Sequence, residues 1–215
     1  MRKILSVALV GVMAMFTTSV ANAVTLDFVA EASGNERGIA DGTVIDFSGL
    51  DVTFSASVVG GGSAFAYFDD LSGGKPAGLG VCKVLTGSDQ CNPGSDDNVT
   101  AGEAVTLGFD SVVTFSATSF WNADHVGVGL TNTLLIGLNG GGLISYTFAG
   151  VMAAIFEDVT SITFAYGGDV AEQFYVSGAT AVSVVPLPAA LPLYGAGVAL
   201  LGFIGWRKRR IETSS

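Results

Sequence analysis

The chain has 215 residues with 9 basic and 19 acidic side chains, a formal charge of −10, and holds 30 glycines, 2 cysteines and a single histidine. Six of the basic residues sit at the two ends, so residues 24–184 carry Arg37, Lys75 and Lys83 against 18 carboxylates, a formal −15. A body this acidic repels nucleic acid and anionic lipid headgroups, which excludes nucleic acid as a partner, and it suits either solubility or divalent cations.

Arg2-Lys3, an apolar run over 4–16 and the small-x-small sequence Ala21-Asn22-Ala23 form a secretory signal peptide over 1–23, with cleavage after Ala23. The apolar run has 13 residues, short for a bilayer-spanning helix. No cysteine follows the cleavage site, which argues against a lipoprotein anchor.

Residues 24–184 fit one domain with one core. Period-two runs of β-branched and aromatic residues alternate there with Gly, Asn and Asp clusters. They predict strands over 24–29, 43–47, 51–59, 64–68, 80–85, 104–109, 112–121, 133–138, 143–148, 161–166 and 174–184. In the run 50–57, Leu50, Val52, Phe54 and Ala56 share one face while Asp51, Thr53, Ser55 and Ser57 share the other, the mark of a half-buried strand. Only 151–156 reads as helical. The expected fold is therefore all-β, an antiparallel β-sandwich of jelly-roll type, in preference to a closed barrel. Gly60-Gly61-Gly62, Gly73-Gly74 and Gly140-Gly141-Gly142 read as turns; no Lys-Ser/Thr follows them and no helix alternates with the strands, as a phosphate loop requires.

Cys82 and Cys91 are predicted to pair, because export places them in an oxidising compartment. A metal site is a poor use of them: the spacing is not Cys-x-x-Cys and His125 is distant. Just beyond the pair, Asp96, Asp97 and Asn98, with Glu103 a few residues on, supply hard oxygen ligands of the kind Ca²⁺ takes. The same residues also fit a solvated Asx turn with Glu103 at a strand entrance, and the EF-hand spacing is absent. Trp121, the one tryptophan of this segment, and Tyr67 are candidate glycan contacts, since an exposed ring stacks on the apolar face of a sugar; strand alternation turns many such rings inward instead.

Catalytic groups are few. Any Ser-His-Asp arrangement must use His125, and on a strand the adjacent Asp124 would point to the opposite face. There is no Gly-x-Ser-x-Gly elbow, and with so many acids some carboxylate pair always looks suitable for glycoside hydrolysis. No catalytic residue is assigned, and the chain is read as no enzyme.

Toward the C-terminus, Val185-Pro186-Leu187-Pro188-Ala189 leads into an uncharged run over 189–206, followed by Arg207-Lys208-Arg209-Arg210. As a helix the run would measure about 27 Å at about 1.5 Å per residue, enough to span a bilayer. The basic cluster favours the cytoplasmic side and so holds the upstream domain outside.

This order of motif, single helix and basic cluster over 185–210 resembles the PEP-CTERM sorting signal of exported proteins of Gram-negative bacteria, in its VPLPA form. The stretches Gly78-Leu79-Gly80-Val81-Cys82, Cys91-Asn92-Pro93-Gly94-Ser95-Asp96-Asp97-Asn98 and Trp121-Asn122-Ala123-Asp124-His125 are similar to a pattern in ectodomains that carry such tails. The resemblance implies an exosortase-type membrane protease as partner, cutting near the motif, and association with exopolysaccharide or biofilm. The expectation is a noncatalytic surface or extracellular-matrix protein that passes through the secretion machinery and is held, at least transiently, by a single-pass helix. A carbohydrate-binding module, with or without a structural Ca²⁺, is the second expectation. A secreted hydrolase is the third.

Overall fold

The computed structural model describes residues 20–70, 74–185, 195, 197 and 198. The bulk of the signal peptide, the sorting motif beyond Val185, the basic cluster and nearly all of the expected 189–206 helix lie outside the described residues. Among the described residues no helix is long and apolar enough to cross a membrane.

Within the described residues of 20–185, eleven strands and two short helices follow in chain order: β1 (Val20–Asp27), α1 (Phe28–Ala32), β2 (Arg37–Ile39), β3 (Thr43–Phe47), β4 (Leu50–Val58), β5 (Phe65–Asp69), β6 (Gly78–Cys82), β7 (Glu103–Asn122), β8 (Thr133–Leu138), β9 (Ile144–Thr147), α2 (Phe148–Ala153), β10 (Phe156–Ala165) and β11 (Phe174–Val185). Residues 21–184 form one compact unit. Every registered strand pair is antiparallel, so the all-β expectation holds.

The organising element is β7, at 20 residues the longest strand. Its first part, Glu103 to Phe109, lies between β4 and β10, in the order β3-β4-β7-β10-β8-β9. Its second part, Val113 to Asn122, pairs with β11 and so leads into β6, β5 and β2. Phe54 of β4 meets Phe68 of β5 at 5.3 Å between ring centroids, so the two halves close on one core. A second aromatic group, Phe120, Phe148, Phe164 and Phe174, packs edge to face in the same core.

Burial in β4 follows the predicted alternation: Leu50, Val52 and Phe54 are buried and Asp51 is exposed. Strands β3 and β8 run over the predicted residues. Three expectations are corrected, and one strand was not anticipated. The 24–29 strand stops at Asp27, because Asp27 Oδ1 accepts the Ala30 N–H at 2.9 Å and caps α1, which buries Phe28 and Ala32 on one face. The helical stretch begins earlier than 151, since Thr147 Oγ1 accepts the Gly150 N–H at 3.0 Å, and Phe156 already belongs to β10. The strands over 104–109 and 112–121 are one strand; Asp110-Ser111, polar and exposed, occupy the stretch where pairing with β10 slips register and are no turn. Strand β2 carries only three residues, too short for a periodic signal, and its Arg37 is held by Glu31 at 2.6 Å and by the Phe68 ring at 5.2 Å.

The signal cleavage sequence Ala21-Asn22-Ala23 falls inside β1, and the residues of that strand seen to enter the core, Val24 and Leu26, both lie beyond it.

Candidate functional site

In β5, β6 and β11 alternate residues do two different things. Ala66, Phe68, Leu79, Val81, Phe174 and Val176 face the main core. Their neighbours Tyr67, Asp69, Cys82, Tyr175 and Ser177 are buried too, the first four under loops that cover the opposite face. Gly80 permits this cover: a Cβ there would collide with the Asp97 carbonyl, so the 96–98 segment lies directly on the strand.

Four side chains meet beneath the cover. The Tyr175 hydroxyl donates to Asp97 Oδ1 at 2.5 Å, and His125 Nε2 stands 3.2 Å from Asp69 Oδ2. The His125 ring packs edge-on against Tyr175, centroids 5.3 Å apart, and its Nδ1 is 3.3 Å from the Lys75 carbonyl. Both ring nitrogens thus stand near oxygen atoms, while Asp69 Oδ2, buried, makes no hydrogen bond. Burial pushes the Asp69 carboxyl up to about 7, helped by the charge of Asp97 and opposed by the Tyr175 hydroxyl. Burial also raises Asp97 and Tyr175.

His125 reaches this position from a tight turn. Asn122 accepts the His125 N–H on its carbonyl at 2.9 Å, and its Oδ1 accepts the N–H groups of Asp124 and Val126. His125 itself has φ 55°, a left-handed conformation that costs a non-glycine residue energy and is held by this turn. Asp124 is exposed; the carboxylate partner of His125 is Asp69, more than fifty residues away in sequence.

A second polar group lies on Lys83. Its ammonium contacts Glu103 Oε1 at 2.6 Å and Asp96 Oδ1 at 2.9 Å, while Glu103 Oε2 accepts the Thr100 N–H at 2.9 Å. Burial raises the Glu103 carboxyl, and the bond from Lys83 opposes that rise. The three expected calcium ligands are therefore divided: Asp96 and Glu103 hold an ammonium, and Asp97 turns to Tyr175. Among the described residues no three His, Cys, Asp or Glu side chains surround a common point.

Cys82 and Cys91 are joined, with Cα atoms 5.7 Å apart. Tyr67 packs against the bridge and is wholly buried; its hydroxyl donates to Glu36 Oε1 at 2.5 Å and accepts the Cys91 N–H at 3.3 Å. That corrects its place among the glycan contacts, because no face of the ring is open to a sugar. Trp121 is half-buried and lines a groove.

Asp69, His125, Tyr175 and Lys83 were not singled out as a group by the sequence. The one available signal was parity, which sets Tyr67 and Asp69 opposite Ala66 and Phe68, but alternation cannot say that loops close over the second face. Comparison with protein-family models, curated proteins and solved structures gives no match. Function has to be read from the chain's own residues.

Proposed function

We propose that the chain is an exported, noncatalytic surface or extracellular-matrix protein, with a jelly-roll-like β-sandwich as its working part and a PEP-CTERM-type tail as its address. In this reading the secretion machinery removes residues 1–23, the tail holds the protein in the membrane through one helix, and an exosortase-type protease acts at Val185, Pro186, Leu187, Pro188 and Ala189. Arg207, Lys208, Arg209 and Arg210 stay on the cytoplasmic side, and the product joins an extracellular polysaccharide layer. The observation that carries the reading is where the domain ends. The compact unit covers residues 21–184, and among the described residues every buried apolar side chain lies between Val24 and Ala181, ahead of the motif. Cutting at the motif releases a domain whose core is complete.

The polar groups support a noncatalytic role. The Nδ1 of His125 meets the Lys75 carbonyl, Asp97 and Tyr175 are bonded to one another, and Glu103 and Asp96 are bound by Lys83. Intact mass of the mature extracellular species tests the reading. A product that starts at Val24 and ends near the motif is expected, with or without an attached group; a product still ending at Ser215 overturns sorting-linked cleavage.

A second reading, a carbohydrate-binding module, is favoured by the groove at Trp121. Its calcium-stabilised version requires Asp96, Asp97 and Glu103 to leave Lys83 and Tyr175 for a shared ion. A thermal melt with calcium and with chelator decides this, an unchanged midpoint removing the metal.

A further inference from the structure

The groove beside Trp121 has a construction of its own. It measures about 350 Å³, at the lower end of the ~300–1,000 Å³ of small-ligand sites, and opens on the face of β7 and β11 away from the main core. Trp121 forms one wall, with Thr118, Ser119 and Ser177 as hydroxyl-bearing neighbours and Asp27 among the lining residues. A bulge makes this possible. Between Ala117 and Phe120 the β7–β11 register shifts, so Phe120 enters the core while Trp121 turns to the other face.

Two details mark the groove as more than a surface crease. Ser177 is 3% exposed and its hydroxyl has no hydrogen-bond partner, although it lines the groove. A buried hydroxyl left unpaired costs about 1–3 kcal/mol, and a bound ligand would supply the missing partner. Gly178 lies under the same residues. A Cβ there would come within 2.9 Å of Thr118 Oγ1, so any side chain at 178 would displace the hydroxyl wall.

We propose that this groove binds one unit of a neutral glycan, with the sugar's apolar face against Trp121 and its hydroxyls bonded to Ser177, Ser119 and Thr118. An aromatic wall with several neutral hydroxyls is the chemistry that recognises a polyol ring with one apolar face. Neutrality follows from charge: Asp27 stands at the groove and residues 24–184 carry a formal −15, which disfavours uronate or sulfated chains. All the lining residues lie beyond Ala23, so signal cleavage leaves the groove intact. The proposal rests on the glycan-binding reading and names its site and ligand class.

The test uses the full chain in detergent micelles, with Trp206→Phe so that Trp121 is the only tryptophan, against an array of neutral hexose and pentose oligosaccharides and their uronate and sulfated counterparts. The expected result is retention on a neutral oligosaccharide with a shift in Trp121 emission, weakened at least about tenfold by Trp121→Ala. Ser177→Ala should weaken retention about threefold while the melting midpoint stays or rises, because it deletes an unpaired hydroxyl. A merely structural serine would not separate the two readouts. Retention on no neutral oligosaccharide, retention only on acidic ones, or retention unchanged by Trp121→Ala overturns the proposal. Each of these outcomes leaves the sorting reading standing, and a mature product ending at Ser215 would do the reverse.

Discussion

The half built from β3, β4 and β10 and the end built from β5, β6 and β11 use strand alternation differently. In β4 the inner face is apolar and the outer face meets water, so buried and exposed residues alternate. In β6 all five residues are buried, and in β5 four of five are. The difference lies in what covers the second face: the disulfide loop, the 96–98 segment and the His125 turn. A sheet covered on one side needs only a hydrophobic stripe. Covering both sides brings carboxylates and hydroxyls into a dry space, where each must find a partner and where their protonation becomes coupled to folding.

The comparison breaks most sharply at the contact that joins the two halves. In a Trp206→Phe background, Phe54→Ala should cost about 3–5 kcal/mol in urea unfolding, and Trp121 emission and far-ultraviolet dichroism should still give one midpoint. Two separate midpoints would show that the halves fold independently.

The cover of the polar end should depend on its bridge. Cys82→Ser with Cys91→Ser should cost about 2–3 kcal/mol in the loop-entropy model, with hydrogen-exchange protection lost first around Tyr67 and the 83–91 loop. Uniform loss across β4 and β10 as well would deny that the bridge serves one end.

Protonation should distinguish the ends further. A buried carboxyl raised to about 7 favours the neutral form in the folded state. Its contribution is therefore fully present below the ordinary carboxylate range and is lost as pH rises through about 7. Stability should fall by about 2 kcal/mol between about pH 5.5 and 8, and Asp69→Asn should flatten most of that fall. Burial raises Asp97 in the same direction. An unaltered pH profile in Asp69→Asn would place the dependence elsewhere.

The smallest effect concerns Lys83. Its side chain is 40% exposed, so Lys83→Met should cost only about 1 kcal/mol in thermal unfolding, with Glu103→Gln in that background restoring most of it. Failure of the second change to restore stability would mean that Lys83 acts through packing.

The fold was legible wherever one face is solvated. Leu50, Val52 and Phe54 announce their strand by alternating with polar residues, and β8 lies where its run of β-branched and aliphatic residues put it. Asp27 illustrates a signal present but outweighed: its capping position ahead of Phe28 and Ala32 lies in a run that also reads as strand. At Asp110-Ser111 the polar pair mimics a turn, yet one long strand carries it because pairing partners on either side take up the register shift.

The candidate sites divide along the same line. Cys82 and Cys91 were identifiable because they are the only cysteines, and Trp121 because it is the only tryptophan before the tail. Tyr67 looked equally aromatic and is buried, because exposure is a property of neighbours that lie 15 to 31 residues away, at Cys82, Cys91 and Glu36.

By itself the sequence determined the all-β class, the disulfide and the acidic character of residues 24–184, together with an expected address at each end. These depend on composition, short-range periodicity and motifs read along the chain. Tertiary structure alone decided that His125 meets Asp69, that Lys83 parts Asp96 and Glu103 from Asp97, and that a bulge turns Trp121 toward an unpaired Ser177. Such pairings depend on which loops close over a sheet face, and alternation along a strand fixes a residue's side while leaving its cover to the rest of the chain.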